Sequence, residues 1–377
     1  MTPVSATQMR ICYLAAANSI HSYRWVKYFA DAGHEVTWIS LVGTTFERLP
    51  NVRFYQLTAR PWPLALAPAV RETRRILAEV RPDVLHVHYV GTYGLLGLLS
   101  GFDPIVATPW GSDVLYGKRS WSKRPFIAGI LRRARVVTCD AWHMRDEVIR
   151  LGVPARRIHI IMFGTDVQRF CKRSGAPALH AKHQLGDAPA VISLRHFEPV
   201  YDVPSLLTAV PRVLERCRQT RFTLVGRGSL EGELKALAER LGVAHAVRFV
   251  GTVREDLMPE TLCSHDVYVS SSLSDAGLAA STAEAMACEV PVVVTDSGEN
   301  ARWIRDGDNG FLVPVRSPDV LADRIIRLLE DKALRERLGR RGRETILERN
   351  DFQAEMNKMA ALYAATVAQD GRPGSGA

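Results

Sequence analysis

No stretch of this chain reaches the roughly 18 apolar residues that a membrane-crossing helix requires. Its first residues, MTPVSATQMR, also lack the charged and apolar blocks of a secretory leader. The expectation is a cytoplasmic protein, neither exported nor membrane-spanning. Any C-x-x-C pair is missing too, and the six cysteines, Cys12, Cys139, Cys171, Cys217, Cys263 and Cys288, are scattered. That distribution reads as reduced thiols and argues against a disulfide framework or a cysteine metal site. Three signature loops are absent. Without G-x-x-x-x-G-K-[ST], ATP hydrolysis ranks low, and without G-x-S-x-G so does serine hydrolysis. The first strand-to-helix turn reads AAANSIHS where a dinucleotide fold would carry G-x-G-x-x-G, which disfavours redox chemistry. No recognition motif accompanies the positive charge, so no nucleic-acid partner is expected.

What is present points to two domains, because 377 residues exceed one comfortable hydrophobic core. The net charge of +9 fits an anionic partner, such as a phosphate-bearing ligand or an anionic lipid surface. It is unevenly spread. Residues 116–135, YGKRSWSKRPFIAGILRRAR, carry Lys118, Arg119, Lys123, Arg124, Arg132, Arg133 and Arg135 and no acid. Trp121, Phe126, Ile127, Ile130 and Leu131 are interleaved. Such a segment suits peripheral attachment to the inner face of a membrane. It equally suits a basic helix that buries its apolar stripe in its own domain.

Short apolar runs alternate with segments of helical period. RICYLAA, HEVTWISL, DVLHVHY, PIVATPW, RVVTCD and RIHIIMF are strand candidates in the first half. AVISL, RFTLVG, VRFVG, DVYVS, VPVVVT and GFLVP follow in the second, with helices expected from about Val203 to Cys217 and Ser229 to Leu241. This rhythm marks α/β domains built on doubly wound parallel sheets. The expected division is a Rossmann-like domain over 1–170, a linker over 171–189 and a second Rossmann-like domain over 190–342. A C-terminal helix over 343–368, following a break near Gly342, packs back toward the first domain, and 369–377 is a disordered tail. Ligands of such sheets bind beyond the carboxyl ends of the strands, so two facing sheets would hold two substrates in a cleft.

The most informative stretch is SDAGLAASTAEAMACEVPVVVTD, residues 274–296. Ser281-x-x-Glu284 is a capping-box pattern, which would satisfy free amides at a helix start. Because the helix follows a strand and a loop containing Gly277, Glu284 is also placed to bind ribose or sugar hydroxyls while neighbouring amides hold phosphate. Both readings stand at this point. Arg195 after AVISL, and Arg227 between Gly226 and Gly228, are strand-end arginines suited to a diphosphate. Their alternative is ordinary loop surface. In the first half, Gly111, Ser112 and Asp113 follow a strand, as hydroxyl binders or as a plain Asx turn. His86 and His88 share one face of a strand, but no third ligand recurs nearby, and hydrogen-bonded histidines fit better than a metal pair. Asn18, Ser19, His21 and Ser22 lie at another ligand edge, where Ser22 is also a candidate helix cap.

Together these residues resemble the retaining nucleotide-sugar glycosyltransferases of family 4, glycosyl transferases group 1, which have the GT-B fold. The likeness runs through RWVKYFADAGHEVTWIS, GSDVL, FGTDVQRF, TLVGRGSLEGELKALAERLGV, VRFVGTV, DVYVSSS, AEAMACEVPVVVTDSGEN and IRDGDNGFLVP. It implies a hexosyl- or N-acetylhexosaminyl-transferase that takes a nucleotide sugar such as a UDP- or GDP-sugar and needs no metal or other cofactor. Glu284 matches the ribose-binding acid, and the donor site implied comprises Arg195, Gly226, Arg227, Gly251, Thr252, Gly277, Leu278, Ser281, Thr282 and Glu284. Arg195, Asp275 and Asp113 are the implied catalytic residues. Asn18, Ser19, His21, His88, Trp110 and Asp113 would receive a glycan, lipid-linked or small-molecule acceptor. Three departures stand out. The family's earlier acid falls at Ala276, with Asp275 one place away; the lysine expected after Arg195 is missing from RHFEPVYDV; and Trp110 replaces a frequent histidine. Polysaccharide or glycolipid assembly is the implied setting. Coupling of an activated sugar or cyclitol to a small molecule, or a non-catalytic nucleotide-sugar-binding subunit, are the alternatives.

Overall fold

Parallel pairing runs through the chain because helices lie between most of its consecutive strands and carry the crossovers. The computed structural model describes residues 8–57, 66–115, 124–173, 186, 188–275 and 277–369. Two compact units emerge: one runs to Phe163 and resumes at Ala354, and the other is Gly164–Gln353. Most of the expected linker and tail, and residue 276, lie outside the described residues.

In the first unit β1 (Arg10–Leu14), β2 (Glu35–Ser40), β3 (Val52–Gln56), β4 (Val84–His88), β5 (Ile105–Thr108), β6 (Val136–Cys139) and β7 (Ile158–Ile160) form one sheet. Its order is β3-β2-β1-β4-β5-β6-β7, and every pairing is parallel. The strand β3 escapes the apolar-run pattern because it lies at the edge and is only partly buried. By contrast β4, VLHVH, is buried at all five positions. Two imidazoles are thereby placed in the core, where they must be neutral or well bonded.

The second unit repeats the scheme with β8 (Ala190–Leu194), β9 (Arg221–Val225), β10 (Val247–Gly251), β11 (Val267–Ser270), β12 (Val292–Thr295) and β13 (Phe311–Val313), in the order β10-β9-β8-β11-β12-β13. Chain direction across each sheet reverses at one place, between β1 and β4 and between β8 and β11. In doubly wound sheets such switch points are where the loops diverge and ligands bind.

Three helices, Pro318–Glu330, Lys332–Arg349 and Phe352–Ala368, follow β13. The break expected at Gly342 falls instead at Asn350. Gly342 and Gly339 sit inside the middle helix, and a Cβ on Gly339 would lie 2.1 Å from the Glu289 carbonyl oxygen. Close packing, not chain reversal, is the reason for these glycines. The last helix joins the first unit from Ala354 onward. There the Tyr363 hydroxyl meets Tyr13 Oη at 2.9 Å and hydrogen-bonds His86 Nδ1.

Of the basic segment, residues 116–123 lie outside the described residues. The helix Arg124–Arg133 buries Ile127, Ala128, Ile130 and Leu131 within the first unit and leaves Phe126 exposed. Its apolar stripe therefore faces inward.

Candidate functional site

At the switch point of the second unit, β8 delivers Arg195 and the loop after β11 delivers Asp275. Both are buried, and the guanidinium donates from Nη2 to Asp275 Oδ1. Desolvating two charges together is tolerable only because each neutralises the other. Arg195 also lies over the Tyr201 ring at 4.5 Å, while its buried Nε has no hydrogen-bond partner among the described residues. One donor is thus left unsatisfied within the described residues. Asn300 Nδ2 approaches Asp275 Oδ2 at 3.4 Å, and a Cβ on Gly298 would lie 1.5 Å from the Asp275 carbonyl oxygen. Gly298 has φ of 59°, so only glycine fits comfortably there.

The neighbouring strand ends pack against Arg195. Gly226 donates its amide to the Gly251 carbonyl at 2.8 Å, and a Cβ on Gly226 would lie 2.3 Å from the Arg195 carbonyl oxygen. Arg227 is exposed, with its guanidinium over Gly251, and Thr252 is exposed beside it. No lysine follows Arg195; Glu198 in that loop instead accepts from the Ser229 amide and hydroxyl at 2.9 and 2.7 Å. Those bonds hold the Glu198 carboxyl below its ordinary range.

The capping-box reading of Ser281 and Glu284 is overturned. The helix is Ala280–Ala287 with Ala279 at its N-cap and no side-chain cap bond, which places Ser281 and Glu284 inside the helix. The Ser281 hydroxyl bonds Tyr268 Oη at 2.8 Å and Thr282 Oγ1 donates to the same phenol at 3.3 Å. Their side chains are thus engaged by β11, and what they present at the helix start is main-chain amide. The first intrahelical bond is Ala283 to the Ala279 carbonyl at 3.0 Å, so the amides of 280–282 have no partner within the helix. Gly277, Leu278 and Glu284 are half-buried around this turn. Burial raises the Tyr268 phenol, opposed by the charge of Arg195. Tyr201, Tyr268, Gly298 and Asn300 were missed from sequence; of these, only the GEN triplet after β12 carried a visible signal.

In the first unit, the ends of β1, β4 and β5 bring Ser22, His21, His88, Trp110 and Asp113 together. Ser22 does not cap the helix Ile20–Asp31: Ser19 is its N-cap, and the buried Ser22 hydroxyl faces His88 Nδ1 at 3.5 Å. His88 Nε2 and Trp110 Nε1 are buried without partners among the described residues, their rings 5.8 Å apart. His21 stacks on Phe163 at 4.3 Å and meets Trp110 edge-on at 5.8 Å, while Asn18 is exposed at the rim. Burial pushes His21 down to about 4, helped by the charge of Arg24, and His88 down to about 3, helped by His21. Both are neutral near pH 7.

Asp113 takes the turn role. Its Oδ2 accepts from the Val90 amide at 2.7 Å and its Oδ1 from Trp110 and Val114 at 3.0 and 3.1 Å, tying the loop after β4 to the loop after β5. Burial raises this carboxyl against those three donors. His86 is a bonded core histidine, with Nε2 at 2.6 Å from Thr108 Oγ1 and Nδ1 at Tyr363. No group of three or more ligating side chains able to hold a metal occurs among the described residues.

A family described as Glycosyl transferases group 1 matches residues 176–345, and one described as Glycosyl transferase 4-like matches 10–141. A phosphatidyl-myo-inositol mannosyltransferase of Mycobacterium leprae is 31% identical over 319 residues, 82% of this chain and 80% of that protein. An N-acetyl-alpha-D-glucosaminyl L-malate synthase of Bacillus anthracis is 26% identical over 362 residues, covering 91% and 92%. Among solved structures, a glycosyltransferase from Rickettsia africae superposes with a TM-score of 0.83 over 96% of this chain and 99% of its own, at 15% identity.

Proposed function

Because the chain belongs to the group 1 glycosyltransferases of family 4 and has their GT-B fold, we propose that it is a retaining, metal-independent enzyme of glycolipid or polysaccharide assembly. That it is a glycosyltransferase using a nucleotide sugar follows from the family itself. The observation that carries the finer reading is the buried Arg195 with one unpartnered nitrogen, at the switch point of the second sheet.

In this reading the donor diphosphate meets Arg195 and the amides of residues 280–282, while Glu284 receives the ribose hydroxyls. Asp275 is the counter-ion of Arg195 before the donor binds; afterwards its carboxylate is released toward the sugar. As the bond from the anomeric carbon to the phosphate oxygen breaks, negative charge grows on the diphosphate. Guanidinium and helix amides already aimed at it lower the barrier without a metal. An acceptor hydroxyl forms the new bond to the anomeric carbon and gives its proton to the departing diphosphate oxygen. The unpartnered Nε2 of His88 and Nε1 of Trp110 are offered to acceptor hydroxyls, and Asp113 acts by holding their loops.

A lipid-linked acceptor is the first reading, supported by the mannosyltransferase relative. A small-molecule acceptor is the second, supported by the relative named for a glucosaminyl malate and by Trp110 standing in the first unit's site.

The deciding experiment is a thermal-shift series with UDP, GDP, ADP and CMP and their sugars, on the wild type and on Glu284→Ala. One nucleotide series stabilising the wild type, with the shift lost in the variant, is the expected result. An unchanged shift in Glu284→Ala would overturn the ribose assignment. Transfer assays that tolerate a chelator are expected as well, and loss of turnover with EDTA, restored by a divalent cation, would sink metal independence.

A further inference from the structure

Three of the six cysteines, far apart in sequence, converge in the second unit. Cys263 ends the helix Met258–Cys263, and Cys288 follows the helix Ala280–Ala287 with its amide bonded to the Glu284 carbonyl at 3.0 Å. The Cys263 thiol reaches the Cys171 carbonyl at 3.4 Å. Cys263 is half-buried and Cys288 is buried, and both line a cavity of about 250 Å³ with Lys172, Arg173 and Glu289 on its wall.

We propose that Cys263 and Cys288 form a peroxide-reactive dithiol that closes reversibly to a disulfide. The two sulfurs have unequal surroundings. A hydrogen bond from Cys288, and the amide and charge of Arg173, lower the Cys263 thiol, with burial and Glu289 opposing; the same bond and burial raise Cys288. Cys263, the more exposed of the two on the cavity wall, is the thiolate that meets the peroxide, and buried Cys288 is the resolving thiol.

The chemistry closes with a peroxide as the oxidant. The Cys263 thiolate attacks a peroxide oxygen, the O–O bond breaks, and the departing oxygen takes up a proton to leave as water or an alcohol. Cys263, oxidised by two electrons, is now a sulfenic acid. Cys288 sulfur then attacks Cys263 sulfur, the S–O bond breaks, and water leaves with the Cys288 proton. A thiol reductant restores both groups. The bond would join the ends of two helices, one turn beyond Glu284. No metal competes for the trio among the described residues.

The test uses wild-type protein treated with hydrogen peroxide, alkylated, digested without reduction and mapped by mass spectrometry. A linked peptide pair containing Cys263 and Cys288, lost on reduction, is the expected product. In the untreated protein Cys263 should alkylate about ten times faster than Cys217, whose thiol burial raises. With Cys288→Ser, dimedone should trap a sulfenic acid at Cys263; with Cys263→Ser, none should form at Cys288. The proposal is overturned if peroxide leaves both thiols free, if Cys171 takes part in the bond, or if the adduct appears at Cys288. Because the wild-type map stands alone, a poorly folding variant does not decide the matter.

Discussion

Arg195 and Asp275 cancel each other's charge inside the second unit, and this pair makes the sharpest residue-scale test. In Asp275→Asn the guanidinium stays buried without its counter-ion, at a cost of about 3–5 kcal/mol to the free protein. A nucleoside diphosphate supplies the missing negative charge. The variant is therefore expected to melt earlier yet gain a larger ligand-induced shift than the wild type, while turnover falls. An equal or smaller shift would mean that the diphosphate does not reach Arg195. Sequence could name Arg195, Asp275 and Glu284, because their types and strand-end positions carry chemical meaning. It could not reveal Tyr201 beneath the guanidinium, or Tyr268 holding Ser281 and Thr282. Such partners are set by distances across elements, and a lone tyrosine has many possible neighbours.

Elements were legible where apolar runs were buried and poorly legible where packing decided. The fully buried β4, β11 and β12 read directly from DVLHVH, DVYVS and VPVVVT. The edge strand β3 did not. Ser281 looked like an N-cap because S-x-x-E usually is one, but the turn through Leu278 and Ala279 starts the helix earlier. Glycines show the same limit: Gly342 looked like a break, whereas Gly339 and Gly342 allow a helix to approach other main chain. Gly298→Ala is expected to displace the Asp275 loop, costing more than about 1 kcal/mol and most of the nucleotide-induced shift. Gly339→Ala, whose Cβ would lie 2.1 Å from the Glu289 carbonyl oxygen, should lower the melting temperature. It should spare nucleotide binding at temperatures where the protein is folded. Melting curves with and without ligand separate the two.

Across the molecule, the division into two α/β units was readable from the rhythm of strands and helices. That the first unit is completed by residues after Ala354 rests on contacts between distant residues. His86 and His88 tie this unit to acidity. Both are lowered by burial, His88 to about 3, against an ordinary value of 6.5. Between those values the unfolded chain binds protons that the folded unit refuses, so stability falls as pH drops below about 6.5. Each such imidazole removes up to about 1.4 kcal/mol per pH unit in that window. Chemical denaturation at pH 7 and pH 5 should show the decline, and His88→Gln should reduce it. Tyr363→Phe removes the hydroxyl shared by Tyr13 and His86 and should cost about 1–3 kcal/mol, read by the same curves.

The Tyr363 bond also sets a timetable for the newborn chain. His86 must wait for a partner 277 residues downstream. At about 5–20 residues per second, the ribosome keeps that histidine waiting for roughly 14–55 s, while the whole of the second unit is being made. Until then the first sheet carries an imidazole and a phenol with an unfilled place beside them, a vacancy that chaperones are suited to guard. Ribosome-bound chains halted before and after Tyr363 has emerged should therefore differ in protease resistance in the first unit, and little in the second.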